Sequence, residues 1–595
     1  MVSFLRLLRL FVAITAVREP GPIFQLLFNR PPRGHPTQSP LRGTAHLTRS
    51  TLYVLPHFVS VSVFSIALVL LAACTPRETN VEVGNRTQVL HRGQGPALAD
   101  LDPHLATGTT DYNVLSALFE GLVGEHPEDL SPVPGVAERW EISPDGMSYT
   151  FHLRPDAKWS NGDALTAHDF VASWRRVLTP RFGADYANLL YVLAGAEAFH
   201  RGVVEDFATV GAVALDTHTL QVNLEFPAPY LLSLLQHWMW FPVHVAAIES
   251  VGDPYARTTP WARPETMVSN GPFTLAAWPN RERIVVQKNP AYWDADTVRL
   301  QEIHFHPFEG VDTEERAFRS GQIHLTDALP ISKIEAYRQN DPELPRIDPY
   351  LGTYFFRLNT RLPHLDNQRL RAALSHAIDR TTIVNQILKG GQLPAASLTP
   401  AGTAGYEPPP GLTYDLPRAR ELLAAAGFPA GEGAPAIELL FNTSENHRLV
   451  AEALQAMWRR NLGIEITLHN MENKTVLESR RQGDYEMLRS VWIADYADPT
   501  SFLDVFKSSS GNNYTGWADA DYDRLLFEAS RTIDDHKRFA LLHQAEQRLL
   551  EQAVVIPLYT FTHVFVKAPS VQGWHPTLLD HHPYKHVWLE EGSGR

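Results

Sequence analysis

Cysteine is all but missing from this chain. Its 595 residues hold one, Cys74, so no disulfide can close within it. Nothing after Cys74 is apolar over a length that would span a bilayer. Positive charge is also scarce. Residues 1–73 carry seven Arg against one acidic residue, Glu19, and the remainder holds 45 basic and 65 acidic residues, a net of −20. Phosphate backbones repel so acidic a body, which excludes nucleic-acid binding. The common hydrolase and metalloprotease signatures G-x-S-x-G, S-x-x-K and H-E-x-x-H do not occur. The nearest glycine-rich run, GEGAPA (431–436), has no strand ahead of it and makes a poor phosphate cradle. No repeat or low-complexity tract interrupts the chain. These absences point away from an enzyme.

Aromatic residues, by contrast, are plentiful: 13 Trp, 19 Tyr and 28 Phe. They suit large cores and the lining of a ligand cleft. The length calls for two or three domains. Near the amino end, FVSVSVFSIALVLL (58–71) follows Arg49 and runs into Leu71-Ala72-Ala73-Cys74. A short apolar core behind a positive flank is a signal-peptide pattern. Small residues before a cysteine resemble a bacterial lipobox, in which Cys74 is lipidated and becomes the first residue. Residues 1–73 are read as a signal peptide with an over-extended start, and 74–83 as the lipidated cysteine and its tether.

Strand and helix patterns alternate from there on. YTFHLRP (149–155) has period two and predicts a strand; Leu165–Leu178 predicts a helix capped by Thr166. LRAALSHAIDR (370–380) and Asn442–Asn461 have helical spacing, and GIEITL (463–468) reads as a strand. The pattern predicts α/β layers.

Eight motifs in order then carry a resemblance. They include DPHLATGTTDYNVLSALFEGLV (102–123), GVAERWEISPDGMSYTFHLRPDAKWSNGDALTAHDFVASW (135–174), NGPFTLAAWPNRERIVVQKNPAYWD (270–294), LLFNTSENHRLV (439–450), WIADYADPTSFLD (492–504) and HPYKHVWL (582–589). Over essentially all the chain after Cys74, this resembles the family 5 extracellular solute-binding proteins, the peptide-binding components of ABC importers. The resemblance implies a two-lobed α/β periplasmic-binding-protein fold with an insert domain and a hinge. It places lobe I at 84–119, 247–351 and 561–595, the insert at 120–246, and lobe II at 352–560. It implies short peptides as ligands, an ABC permease and ATPase as partners, a lipid-anchored monomer outside the cytoplasm, and no cofactor. Sensing, cell-wall peptide recycling and a non-peptide ligand remain open within the same family.

The candidate site starts from Tyr485–Asp495. As a strand, it puts Met487, Arg489, Val491, Ile493 and Asp495 on one face. Arg489 and Asp495 would then lie roughly 20 Å apart, too far to pair and suited to bracketing an extended zwitterion. Two ordinary roles compete: Asp495 could cap the turn before Pro499, and Arg489 could pair with another acid. The resemblance implies that Asp495 meets a peptide ammonium and Arg489 a carboxylate. It adds His447 near the carboxylate end of longer peptides, Asn442 near the ligand on the motif that carries His447, Trp492 on the motif that carries Asp495, and Tyr186 facing the ligand. Gly108 and Thr109 would form a strand edge that pairs with peptide backbone. His304 and His306 read as one face of a strand, and His581, His582 and His586 as a structural cluster; none is expected to hold a metal.

Overall fold

The computed structural model describes residues 78–591, apart from 99 and 280–282. Cys74 and the leader therefore lie outside the described residues. Among the described residues no helix is long and apolar enough to cross a membrane.

A short helix, Asn80–Thr87, leads into β1 (Val89–Gly93). The hairpin β2 (Val123–Glu125) and β3 (Pro132–Pro134) follows. Four antiparallel strands come next: β4 (Ala137–Ile142), β5 (Ser148–Leu153), β6 (Ala212–Ala214) and β7 (Thr219–Asn223), in the order β4-β5-β7-β6. Tyr149, Phe151 and Leu153 point into the core beneath them, as the period-two pattern predicts. The helix Ala167–Leu178 packs there through Phe170 and Trp174. Its start is set by Asp169, whose carboxylate accepts from the N–H and O–H of Thr166 at 2.7 and 2.8 Å.

The chain then returns to β1. Strands β8 (Phe273–Ala277), β9 (Ile284–Lys288) and β10 (Glu302–His306) make a sheet of order β1-β10-β9-β8, in which β1 and β10 are parallel. Two long strands follow, β11 (Pro345–Leu358) and, far along the chain, β16 (Val555–Val566). Between them come β12 (Leu393–Pro394), β13 (Ile437–Asn442), β14 (Ile466–Met471) and β15 (Met487–Ile493); together they form a mixed sheet of order β12-β16-β11-β15-β13-β14. The parallel pair β13/β14 is joined by the helix Glu445–Leu462, as a parallel crossover requires. A last ribbon, β17 (Val571–Gln572) with β18 (Trp588–Leu589), closes the chain.

The β11/β16 ladder runs from the six-stranded sheet toward the four-stranded one. Residues 345–349 pair with 562–566, and residues 353–357 pair with 555–560; the register shifts between Pro349 and Thr353 and again between Tyr354 and Phe355. Leu325 bridges Arg92 of β1 on one side and Lys567 beyond β16 on the other, tying the far end of the ladder to the first sheet. Along β11, alternate residues enter two cores. Tyr354, Phe356 and Leu358 join the cluster around Trp458, while Leu351 and Phe355 join the cluster around Phe502. Both faces of β11 are therefore buried from Leu351 to Leu358, where three consecutive aromatics, Tyr354, Phe355 and Phe356, serve the two cores in turn.

Candidate functional site: two unpaired charges beside one strand

Arg489 lies in β15 opposite Phe356, and Val491 lies opposite Tyr354. Arg489 and Tyr354 are thus diagonal neighbours on one face. The guanidinium sits over the Tyr354 ring, 4.8 Å from its centroid. Arg489 Nη1 donates to Asn442 Oδ1 at 3.3 Å. The Tyr354 hydroxyl lies 3.4 Å from His447 Nδ1. So the structure brings Arg489, Asn442 and His447 together, and adds Tyr354. It also adds Tyr559, which stacks on Tyr354 at 4.7 Å. Arg489 Nε is buried without a partner, and no ion pair among the described residues includes Arg489. Burial, with the nearby Arg489 charge, pushes His447 down to about 3. The imidazole is therefore neutral, and the one full charge of the cluster is the guanidinium.

Asn442 ends β13 and does not begin a helix. The helix starts at Glu445 after the cap Ser444, three residues past the Asn442 at which the helical spacing begins. This shift lets the Asn442 side chain meet β15, because β13 and β15 are neighbours in the sheet.

Past Ile493 the chain leaves the ladder. The Asp495 N–H donates to Ser501 Oγ at 3.0 Å, which fixes the backbone. Asp498, not Asp495, caps the turn at Pro499: its Oδ1 accepts from Thr500 N at 3.0 Å and Thr500 Oγ1 at 2.6 Å. Arg538 Nη2 closes on the same Asp498 oxygen at 2.5 Å. The half-buried Asp495 carboxylate takes part in no hydrogen bond or ion pair among the described residues, and burial pushes its pKa up to about 7. Tyr186 is close enough for Asp495 to help raise its phenol above the usual range, after burial itself. Tyr186 also packs against His237 and Trp238, with ring centroids 5.7 and 6.5 Å away. Nearby, Tyr230 stacks on Tyr496 at 5.3 Å, joining the region of β4–β7 to the turn that carries Asp495.

Three expected site residues lie away from the charged cluster. Trp492 lies opposite Thr353, on the face away from Arg489. Its indole packs with the Phe502 cluster and its N–H donates to Ser501 O at 2.6 Å. The parity of the strand turns it away from the charged cluster, and its role here is to hold the Asp495 turn. Gly108 and Thr109 form no strand edge. Gly108 is the N-cap of the helix Thr109–Leu118, and its N–H donates to Asp111 Oδ2 at 2.8 Å. The short acidic side chain three residues on captures that N–H for the helix start.

The other histidines divide. His581 Nδ1 meets Glu125 Oε1 at 2.7 Å, and His582 Nε2 meets Asp580 Oδ1 at 3.0 Å, so each ring is hydrogen-bonded to a carboxylate. His304 and His306 do not stand alone, because His91 joins them across the β1/β10 ladder.

Known proteins can now be set beside this geometry. Residues 131–514 match the profile of "Bacterial extracellular solute-binding proteins, family 5 Middle". The periplasmic oligopeptide-binding protein OppA of Salmonella typhimurium is 36% identical over 521 residues, covering 86% of this chain and 94% of that protein. The murein tripeptide binding protein MppA of Escherichia coli superposes with TM-score 0.75 at 32% identity, covering 84% of this chain and 98% of that one. Haemophilus influenzae OppA, in complex with the peptide RPPGFSPFR, superposes with TM-score 0.74 at 32% identity, over 84% and 99% of the two chains.

Proposed function

Since this chain belongs to the family 5 bacterial extracellular solute-binding proteins, we propose that it captures short peptides between its lobes and delivers them to an ABC permease. The observation that carries this reading is the pair of uncompensated charges at Asp495 and Arg489. A carboxylate withdrawn from water without a partner is costly, and so is a guanidinium with a buried free N–H. A zwitterion whose ammonium meets Asp495 relieves the first, and one whose carboxylate reaches Arg489 relieves the second. Asn442, His447 and Tyr354 hold the guanidinium in place, and Tyr186 flanks the ammonium end.

Lobe I takes residues 84–119, 247–351 and 561–595; the insert takes 120–246; lobe II takes 352–560. The register shifts of the β11/β16 ladder near Pro349–Thr353 support a hinge at the boundary between 351 and 352. Closure about such a hinge follows if ligand contacts come from both sides. Outside the cytoplasm, lipidated Cys74 holds the protein to the membrane, and Cys74→Ser releases it into the soluble fraction.

Calorimetry on four combinations tests the peptide reading. Wild type and Asp495→Asn are each titrated with a free peptide and its amino-acetylated form. Acetylation weakens wild-type binding by about 2–5 kcal/mol, the range for truncating one partner of a buried charge pair. It adds little in the variant, because both changes remove one interaction. Equal binding of free and acetylated peptide to wild type removes the ammonium anchor and favours a non-peptide ligand.

A further inference from the structure

We infer that His91, His304 and His306 form a binding site for one divalent late first-row transition ion, on the face of the β1/β10 pair opposite Ile303 and Phe305 and in a different sheet from Arg489. The register puts His91 directly opposite His304 and Gly93 opposite His306, so all three imidazoles share a face. Ile303 and Phe305, of opposite parity, enter the core behind. One nitrogen from each ring lies within 4.8 Å of the other two. Tetrahedral zinc with bonds near 2.0–2.1 Å places its ligand atoms about 3.4 Å apart. Small rotations of the half-buried His304 and His306 rings close the difference.

The hydrogen bonds have the pattern of a ligand set. His304 Nε2 is 2.7 Å from the Glu302 carboxylate, while its Nδ1 is buried with no partner. A carboxylate on one ring nitrogen fixes the tautomer and leaves the other nitrogen free to bind metal. His91 Nδ1 and His306 Nε2 face each other at 3.1 Å, two nitrogens with no carboxylate between them. His324 stacks over His91 at 5.8 Å and accepts from the His91 backbone N–H through Nδ1 at 3.0 Å, so it walls the site. Burial, and then the neighbouring imidazoles, hold His91 and His306 below the usual histidine range and thus neutral, as ligands must be. Three imidazole donors suit zinc, copper or nickel and not calcium or magnesium. Gly93 contributes by lacking a side chain: a Cβ there would run into the Glu314 carboxylate packed against β1.

The test uses the purified full-length chain and Zn²⁺. Titration calorimetry should show one high-affinity site, lost in His304→Ala and in His306→Ala and weakened roughly 10–100-fold in Glu302→Gln. His586→Ala leaves the isotherm unchanged. Peptide affinity in the histidine variants stays at the wild-type value, which shows that they are folded. If either variant is misfolded, X-ray absorption of the wild-type zinc complex decides without substitution: a shell of three imidazoles supports the site, and an oxygen-only shell overturns it. An unchanged zinc isotherm in folded His306→Ala also overturns it. Cu²⁺ and Ni²⁺ titrations then rank the ion.

Discussion

Asp495 and Asp498 are three positions apart in one turn, both withdrawn from water, and their surroundings are opposite. Asp498 is 2% exposed and fully engaged, with Thr500 on one side and Arg538 on the other. Asp495 has its backbone pinned by Ser501 and its carboxylate left alone. The same contrast separates the two arginines, since Arg538 has Asp498 and Arg489 has only Asn442 and an aromatic face. Burial with a partner makes a structural charge. Burial without one stores a cost that a ligand of opposite charge can relieve. Asp498–Arg538 is therefore read as the fixed part of the turn, and Asp495 with Arg489 as the part that waits.

The largest effect should come from breaking the fixed part. Removing one member of a buried pair leaves the other uncompensated and costs about 3–5 kcal/mol. Arg538→Ala should therefore lower the unfolding free energy by that amount in urea titrations, while peptide affinity of the folded variant changes by less than about 1 kcal/mol. If Arg538→Ala is as stable as wild type, the contrast with Asp495 loses its meaning.

Asp495→Asn should do the reverse. It weakens peptide binding by about 2–5 kcal/mol and makes the empty protein more stable at neutral pH. Water reaches the exposed side of this half-buried carboxyl, so the gain is about 1–2 kcal/mol. Thermal unfolding of carefully emptied protein checks the sign. A lower melting temperature in the variant would mean that Asp495 has a structural partner after all.

A pH series sharpens the contrast further. The raised pKa means that the empty folded protein keeps a proton which the unfolded chain releases near the ordinary value of 3.8. Its stability contribution is full below 3.8 and is lost as pH rises through about 7. Binding an ammonium needs the ionised form, so affinity should fall by up to tenfold per pH unit below about 7. Above about 8 the peptide's own amine deprotonates and affinity falls again. Asp495→Asn should remove the acidic limb. His447, held near 3 by burial, adds nothing between those limits.

How much of this is legible in the sequence depends on the range of each interaction. The helix Ala167–Leu178 and strand β5 follow from local periodicity, which needs only neighbours along the chain. The set of Arg489, Asn442 and His447 was reached through motifs, and the structure brings it together. Strand parity places Trp492 on the face away from Arg489, and Gly108 keeps an extended backbone while its N–H is taken by Asp111 at the start of a helix, which only the three-dimensional pairing shows. Tyr354 carries no local signal: it is one of three consecutive aromatics, and only the β11/β15 register shows that it meets Arg489. His91 lies more than two hundred residues from His304, and nothing local connects them.

The smallest effect concerns Tyr354, which stands where the fixed and waiting parts meet. Its ring is packed, stacked on Tyr559 and reaching Phe356, and so belongs to the core. Its upper face and hydroxyl belong to the site, beneath Arg489 and beside His447. Tyr354→Phe keeps the ring and removes the hydroxyl. The contact to His447 is long, so peptides whose carboxylate reaches Arg489 should lose only about 0.5–1 kcal/mol. Tyr354→Leu removes the π face as well and should cost such peptides up to about 2 kcal/mol in total, because the guanidinium loses both support and a favourable quadrupole. The comparison that decides is between free and amidated forms of one short peptide, measured by calorimetry in all three proteins. Amidation removes the carboxylate charge, so the free-minus-amidated difference should shrink from wild type to Tyr354→Phe to Tyr354→Leu. If both peptides weaken equally across the series, Tyr354 acts through core packing alone, and Arg489 is positioned by Asn442 without it.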